Sequence, residues 1–94
     1  MVEIEWSPTA ESDLYEILDY IAQDSPPYAV SLYEEVQEKV ENLKHFPNIG
    51  RIVPELGEPN IRELILRNYR LIYRFLGEKI QIIRLIHGAR LLRI

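Results

Sequence analysis

A glutamate, an arginine and a histidine in the second half of the chain carry the side chains that phosphodiester cleavage needs. Glu55 lies in a loop rich in proline and glycine, Arg70 stands among apolar strand residues, and His87 ends the last apolar run. Cleavage of RNA by its own 2′-hydroxyl requires a base, a cation near the phosphoryl oxygens and an acid for the leaving oxygen. We predict Glu55, Arg70 and His87 as a catalytic set that needs neither a metal ion nor a cofactor.

A structural interpretation of the same residues stays open. A glutamate in a loop is usually solvated, and a histidine at the end of a strand is more often structural than catalytic. An arginine on a strand usually pairs with a carboxylate, and Glu63 is available for Arg70. Residue types alone therefore do not separate a cleavage site from an ion-paired surface.

The composition excludes several kinds of site. The chain has no cysteine and only two histidines, so it can form neither a disulfide nor a thiolate metal site, and we predict no structural zinc. It contains no run of about twenty apolar residues and no signal-peptide pattern. We predict one soluble, cytoplasmic domain over residues 1–94 that does not enter a membrane.

Charge is divided unevenly along the chain. Residues 1–48 hold two basic and 11 acidic residues, and residues 49–94 hold nine basic and four acidic ones, within a net charge of −4. Solvated helices rich in Glu and strands rich in Arg would explain this division. A basic sheet surface that meets phosphates or an acidic partner would explain it as well. On the second interpretation, the residues that bind the target include Arg51, Arg62, Arg74 and Arg90.

Two helices follow a short N-terminal strand. The alternation from Val2 to Trp6 is typical of a half-buried strand. Ser7-Pro8 and Ser25-Pro26 each place a capping side chain before a proline that fits the first helical turn. The apolar residues after each cap recur at helical spacing and predict one buried stripe per helix. The stripes are Leu14, Ile17, Leu18, Ile21 and Ala22, then Ala29, Leu32, Tyr33, Val36, Val40 and Leu43.

Three strands make up the second half of the chain. Residues 61–75 form a hairpin whose two-residue turn is Arg67-Asn68, since asparagine tolerates the left-handed backbone that such a turn needs. A turn at Gly77-Glu78 leads to residues 79–87, the most apolar strand. The sequence therefore predicts an α+β fold: an N-terminal strand, an α-helical hairpin and a three-stranded antiparallel meander, with the helices packed on one face of the sheet. The second turn sets a register that pairs Phe75 with Ile80 and Tyr73 with Ile82.

The two faces of this sheet differ in composition, because side chains alternate between them. The first face suits a helix-packed core, and its predicted residues are Leu64, Leu66, Tyr69, Leu71, Tyr73, Phe75, Ile80, Ile82 and Ile86. The second face mixes arginines with aliphatic residues. One helical hairpin covers one face, so we predict that a partner covers the second by laying a helix across it or adding a strand to its edge. The predicted partner contacts are Ile61, Ile65, Ile72, Ile83 and Leu85.

The order of these elements, together with five short stretches, resembles the RelE/ParE superfamily of toxins from type II toxin–antitoxin systems. The superfamily includes ribosome-dependent mRNA endonucleases and toxins that inhibit DNA gyrase. The resemblance implies a plasmid-stabilization type of toxin that is neutralised by a cognate antitoxin peptide, as a homodimer or a toxin–antitoxin heterotetramer. The stretches are Pro47-Asn-Ile-Gly-Arg51, Val53-Pro-Glu55, Ile61-Arg-Glu63, Tyr69-Arg-Leu-Ile-Tyr-Arg74 and Ile86-His-Gly-Ala-Arg90.

The resemblance also implies roles for single residues. Glu55 matches the general-base glutamate of some endonuclease members, Arg70 matches their phosphate-stabilising arginine, and His87 lies near the place of their C-terminal acid. Those members often end in a His-Tyr or Tyr pair, whereas this chain continues from His87 through Gly, Ala and Arg90. The long helical hairpin and this ending are more similar to the gyrase-directed branch. Three readings stay open: mRNA cleavage on the ribosome (an mRNA interferase), inhibition of gyrase, and a non-toxic binding module for antitoxin complex formation and transcriptional autoregulation.

Overall fold

The computed structural model describes residues 2–92, which form two helices and one mixed sheet. The elements are β1 (Glu3–Trp6), α1 (Pro8–Asp24), α2 (Pro26–Leu43), β2 (Arg51–Ile52), β3 (Ile61–Leu66), β4 (Tyr69–Phe75) and β5 (Lys79–His87). The strands lie in the order β1-β5-β4-β3-β2. β1 runs parallel to β5, and the other neighbours are antiparallel. The predicted α+β fold is confirmed, with the meander of β3, β4 and β5 lying between two short outer strands.

Both helices begin where the sequence predicts. The Ser7 side chain accepts a hydrogen bond from the amide of Ala10 at 3.0 Å, and Ser25 accepts one from the amide of Tyr28 at 3.3 Å. A proline follows each cap, at a position where the helix needs no amide donor. These two starts fix α1 and α2 as a hairpin, because the cap of α2 directly follows the last residue of α1.

The main core lies between this hairpin and the first face of the sheet. Large apolar side chains stabilise the fold by about 1.5–3 kcal/mol each when they are fully buried. Tyr33 was predicted for the buried stripe of α2 but is 42% exposed, because the apolar stripe of α2 is wider than its contact with the sheet. The buried members of this core are Ala10, Leu14, Leu32, Val36, Val40, Leu43, Leu66, Leu71, Tyr73, Ile80, Ile82 and Leu85.

A β-bulge at Ile83 reverses the predicted faces of the residues that follow it on β5, which are Leu85, Ile86 and His87. The β4–β5 register shifts between Ile72 and Tyr73, which leaves Ile83 as an extra residue on β5. Beyond the bulge the alternation is inverted. Leu85 is buried in the helix-packed core, and Ile86 is buried on the second face. The prediction that Leu85 is a partner contact on the second face is therefore wrong, and so is the placement of Ile86 in the main core.

The second face of the sheet is closed by two segments of the same chain. Val53 from the loop after β2 and Leu92 from the C-terminal tail pack over Ile61, Ile72 and Ile86. These five side chains form a second buried cluster. A partner is therefore not needed to cover this part of the sheet, since the loop and the tail return across it.

This closure changes the predicted partner surface. Ile61 and Ile72 are buried, so the prediction that they lie open to a partner is wrong. Ile83 is half-buried against the second cluster, as its predicted face requires. Ile65 is 54% exposed and remains available to a partner.

Arg67, not Asn68, has the left-handed backbone in the turn between β3 and β4, with φ of 54°. This conformation costs about 1–2 kcal/mol for a residue with a side chain. The guanidinium of Arg67 donates to Glu35 at 2.8 Å and to Ser31 at 2.7 Å, and it lies 4.6 Å from the ring centre of Tyr28. Contacts with α2 therefore offset the strain of the turn.

Candidate functional site

Arg70 lies at the centre of a network of alternating charges on the second face. Its guanidinium donates two hydrogen bonds to the Glu55 carboxylate, both of 2.7 Å. Its Nε donates to Glu63 at 2.7 Å. Glu63 also accepts a hydrogen bond from Arg51, the residue opposite it across β2 and β3. The network Arg51–Glu63–Arg70–Glu55 thus joins the three strands β2, β3 and β4 to the loop after β2.

The middle of this network is removed from water. The side chains of Glu63 and Arg70 are 0% and 7% exposed, whereas those of Glu55 and Arg51 are 21% and 61% exposed. A buried carboxylate is tolerated only where its charge is paired and its oxygens accept hydrogen bonds. The Arg70 guanidinium is therefore held in place by the need to neutralise Glu63.

The same network holds the C-terminal tail, residues 88–92, on the sheet. Arg70 Nη1 donates to the carbonyl of Arg90 at 2.9 Å. The Glu55 carboxylate accepts from the amide of Leu92 at 2.8 Å. The side chain of Leu92 is thereby placed in the second buried cluster. Arg70 and Glu55 thus order two chain segments that have no sheet partner of their own.

Ion pairing keeps Glu55 charged. Hydrogen bonds from Arg70 and from the amide of Leu92 lower the pKa of Glu55 to about 2. The Glu55 carboxylate in turn raises the pKa of Arg70. A general base is most effective when its pKa lies near the working pH. A carboxylate with a pKa of about 2, whose oxygens already accept three hydrogen bonds, suits an ion pair better than proton abstraction.

His87 lies on the opposite face of the sheet from Glu55 and Arg70. Its ring meets the ring of Tyr69 edge to face, with centroids 5.9 Å apart and planes at 78°. Tyr69 packs against the helix-side core. The Nδ1 atom of His87 accepts a hydrogen bond from the amide of Ala89 at 3.2 Å. The structure brings two of the three predicted catalytic residues together and leaves His87 apart from them, and their catalytic roles stay predictions.

The other predicted target-binding arginines have different surroundings. Arg62 donates to the carbonyl oxygens of Pro59 and Gly50, at 3.1 and 3.0 Å, and so holds the segments that follow and precede β2. Arg74 is half-buried on β4, between neighbours on β3 and β5. Arg90 is exposed and lines a groove of about 290 Å³ on the second face. Arg51 and Arg62 therefore have partners within the fold, and Arg90, which is exposed beside the groove, is better placed than they are to meet another molecule.

One half-buried anchor, Asp13 of α1, was missed from the sequence. Its carboxylate accepts from Arg84 at 2.8 Å and from the amide of Leu85 at 2.9 Å. β1 does not extend this far along β5, so the amide of Leu85 would otherwise lack an acceptor. The spacing of Asp13 could have indicated this role, since it lies three residues after Ala10 and four before Ile17, on the inward stripe of the helix.

Within residues 2–92, no group of three or more His, Cys, Asp or Glu side chains is arranged to hold a metal ion. Over the same residues, neither helix has the length and apolar composition needed to cross a membrane.

Comparisons with known proteins agree with the fold and extend over nearly the whole chain. A family model described as the ParE toxin of the type II toxin–antitoxin system parDE matches residues 4–92. Among solved structures, a chain of the chromosomal ParDE TA system from P. aeruginosa is 29% identical to this one. Its TM-score is 0.74, and the match covers 93% of this chain and 96% of that chain. No curated protein matches the chain.

Proposed function

The chain belongs to the ParE toxin family of type II toxin–antitoxin systems, and from this premise we propose that it inhibits growth by binding DNA gyrase. We propose further that a cognate antitoxin neutralises it. The competing mechanism within the superfamily is cleavage of mRNA on the ribosome. The observation that favours binding over cleavage is the separation of His87 from the Glu55–Arg70 pair by the thickness of the sheet.

Cleavage would require a base, a cation and an acid around one phosphate group. Glu55 has a pKa of about 2 and gives its oxygens to Arg70 and to the amide of Leu92. Arg70 gives its donors to two carboxylates and one carbonyl. A phosphate could approach this pair only by breaking contacts that hold the loop and the tail in place. Inhibition by binding needs no such rearrangement.

In this proposal the buried network is a scaffold. It orders the tail, and the tail presents Arg90 and Leu91 beside Arg84 and Ile86 around the groove on the second face. The arginine-rich half of the chain then faces the target, and the acidic helices face away from it. Such a charge distribution would steer the toxin towards an acidic protein surface or a protein–DNA complex.

The test uses variants that separate catalysis from scaffolding. Glu55→Gln removes a base but keeps the shape of the side chain and one oxygen that can accept from Arg70 and from the amide of Leu92, and His87→Ala removes an acid outside the network. Loss of a general acid or base lowers a rate by roughly 10²–10⁴. We expect both variants to arrest growth on induction. The purified variants should inhibit gyrase supercoiling at concentrations within about threefold of that needed for the unaltered chain, a change far smaller than the loss of a catalytic group would cause.

Two results would count against the proposal. One is that both variants fold but no longer arrest growth, while the unaltered chain cuts mRNA on translating ribosomes. The other is a chain that does not affect growth in the absence of an antitoxin, which would leave the non-toxic binding module.

A further inference from the structure

The turn between α2 and β2 presents two large apolar side chains to solvent. Phe46 and Ile49 are 61% and 58% exposed, and with Pro47 and Asn48 they line a mainly apolar hollow of about 340 Å³. We call these four residues the turn patch. They belong to neither buried cluster, and they do not line the groove beside Arg90. Exposed apolar side chains that lie together on a surface are typical of a docking site.

The backbone of the turn patch is held in place by hydrogen bonds. The amide of Ile49 donates to the carbonyl of Phe46 at 3.1 Å, which closes the turn. The hydroxyl of the buried Tyr73 donates to the carbonyl of Pro47 at 2.7 Å and accepts from the amide of Gly50 at 3.0 Å. A side chain on an ordered turn loses little freedom when it binds, so this turn is preorganised for contact with a partner.

The charge around the turn patch selects the kind of partner. Residues 42–54 contain no acidic side chain, although the chain has 15 acidic residues, and they include the cations Lys44 and Arg51. Lys44 pairs with Glu41, and the exposed Arg51 pairs with the buried Glu63. The rim of the turn patch is therefore neutral to positive, unlike the acidic helices. It suits a partner whose apolar side chains are flanked by carboxylates.

Two other occupants fit the turn patch less well. A nucleic acid is bound mainly by cations that are free to meet phosphates, and Lys44 and Arg51 already have carboxylate partners. A second copy of the chain would bring the same cations together. A single turn also offers little area, whereas a stable interface takes about 800 Å² from each partner. A larger protein that inserts an apolar side chain into the hollow fits both its shape and its charge.

We propose that the turn patch is a contact surface for DNA gyrase. An apolar side chain of gyrase enters the hollow between Phe46 and Ile49, and carboxylates of gyrase lie near Lys44 and Arg51. This inference rests on the proposed function, because it takes gyrase as the target. It adds an apolar anchor to the exposed cation Arg90, and buried anchors carry most of the affinity of a protein interface.

The test measures the affinity of the purified toxin for a complex of gyrase with DNA, and for the same DNA without gyrase, by surface plasmon resonance. Phe46→Ala removes one wall of the hollow and should weaken binding to the gyrase complex about thirtyfold or more, as for an interface hot spot. Tyr20→Ala is the matched control, because Tyr20 is an aromatic residue that is 71% exposed on the acidic helix α1. The control should stay within about threefold of the unaltered chain, which is less than a hot-spot effect.

A second pair of variants tests the charge of the partner. Ile49→Glu and Ile49→Lys place opposite charges at one exposed position. The glutamate variant should bind the gyrase complex at least about tenfold more weakly than the lysine variant, because like charges that face each other across an interface are unfavourable. Equal affinities, or a weaker lysine variant, would refute an acidic partner surface. All three substituted positions are exposed, so circular dichroism spectra should be unchanged and should confirm that each variant is folded.

Four outcomes would overturn the inference, and they have different meanings. If Phe46→Ala binds the gyrase complex as tightly as the unaltered chain, the turn patch is not a gyrase contact, and the proposed function stays intact. An equal loss of affinity for DNA alone would assign the turn patch to nucleic acid. A substitution that only dissociates a homodimer, seen by light scattering, would assign it to a second copy. An unaltered chain that neither binds gyrase nor inhibits supercoiling would count against the proposed function as well.

Discussion

Replacing Arg70 by methionine should destabilise the fold more than any single surface change. The substitution removes the partner of Glu63, whose side chain is 0% exposed, and leaves it with Arg51, which is mostly in solvent. It also removes both bonds to Glu55 and the bond to the carbonyl of Arg90. Breaking a buried ion pair from one side costs about 3–5 kcal/mol. A domain of this size has a free energy of unfolding of about 5–15 kcal/mol, so a fifth or more of its stability would be lost.

The assay is equilibrium unfolding of the purified chain in guanidinium at pH 7, followed by circular dichroism. Two further variants make it specific. Arg74→Met changes the same residue type on the same face of β4 but outside the network, and should cost less than about 1 kcal/mol. Arg70→Met with Glu63→Leu removes both buried charges, and should recover most of the loss because no carboxylate is left unpaired. The reasoning is refuted if the free energy of unfolding of Arg70→Met lies within about 1 kcal/mol of that of the unaltered chain. It is also refuted if the double variant is no more stable than the single one.

Three further predictions concern the chain segments on either side of β2. The pKa of Glu55 is about 2 in the folded chain and 4.5 ordinarily, so its stabilising effect is present above pH 4.5 and is lost as the pH falls towards 2. In Glu55→Gln the free energy of unfolding should therefore depend less on pH in that range, and an unchanged pH dependence would contradict this. Tyr73→Phe should cost about 1–3 kcal/mol in guanidinium unfolding, because the hydroxyl donates to the carbonyl of Pro47 and accepts from the amide of Gly50; a neutral effect would mean that water replaces it. Gly50→Ala should reduce the melting temperature markedly, since its Cβ would lie 2.6 Å from the carbonyl oxygen of Glu63, and an unchanged melting temperature would show that the loop can shift.

Local signals in the sequence predicted much of the fold. Both helix starts follow from Ser-Pro pairs, because a cap is decided by two or three adjacent residues. The turn at Gly77-Glu78 sets the pairing of Phe75 with Ile80, as predicted. The turn between β3 and β4 has the predicted length, but the positive φ falls on Arg67 because contacts with α2 compensate its strain.

The misses have one physical cause, which is contact between residues far apart in the chain. The bulge at Ile83 depends on how β5 meets both β4 and α1, and it moved Leu85 to the helix side. The closure of the second face depends on Leu92 returning over Ile72, and periodicity carries no information about that return. For the same reason, residue types predicted the Glu55–Arg70 pair but not the separation of His87 from it.

The most direct measurement of the central claim is inducible expression of the chain without antitoxin, with mRNA integrity and plasmid topology followed in parallel from the first minutes. If the Arg70 network is a scaffold and the toxin acts by binding gyrase, plasmid supercoiling should change while mRNA stays intact. Cleaved mRNA on an unchanged plasmid would contradict that account and return Glu55, Arg70 and His87 to a catalytic role.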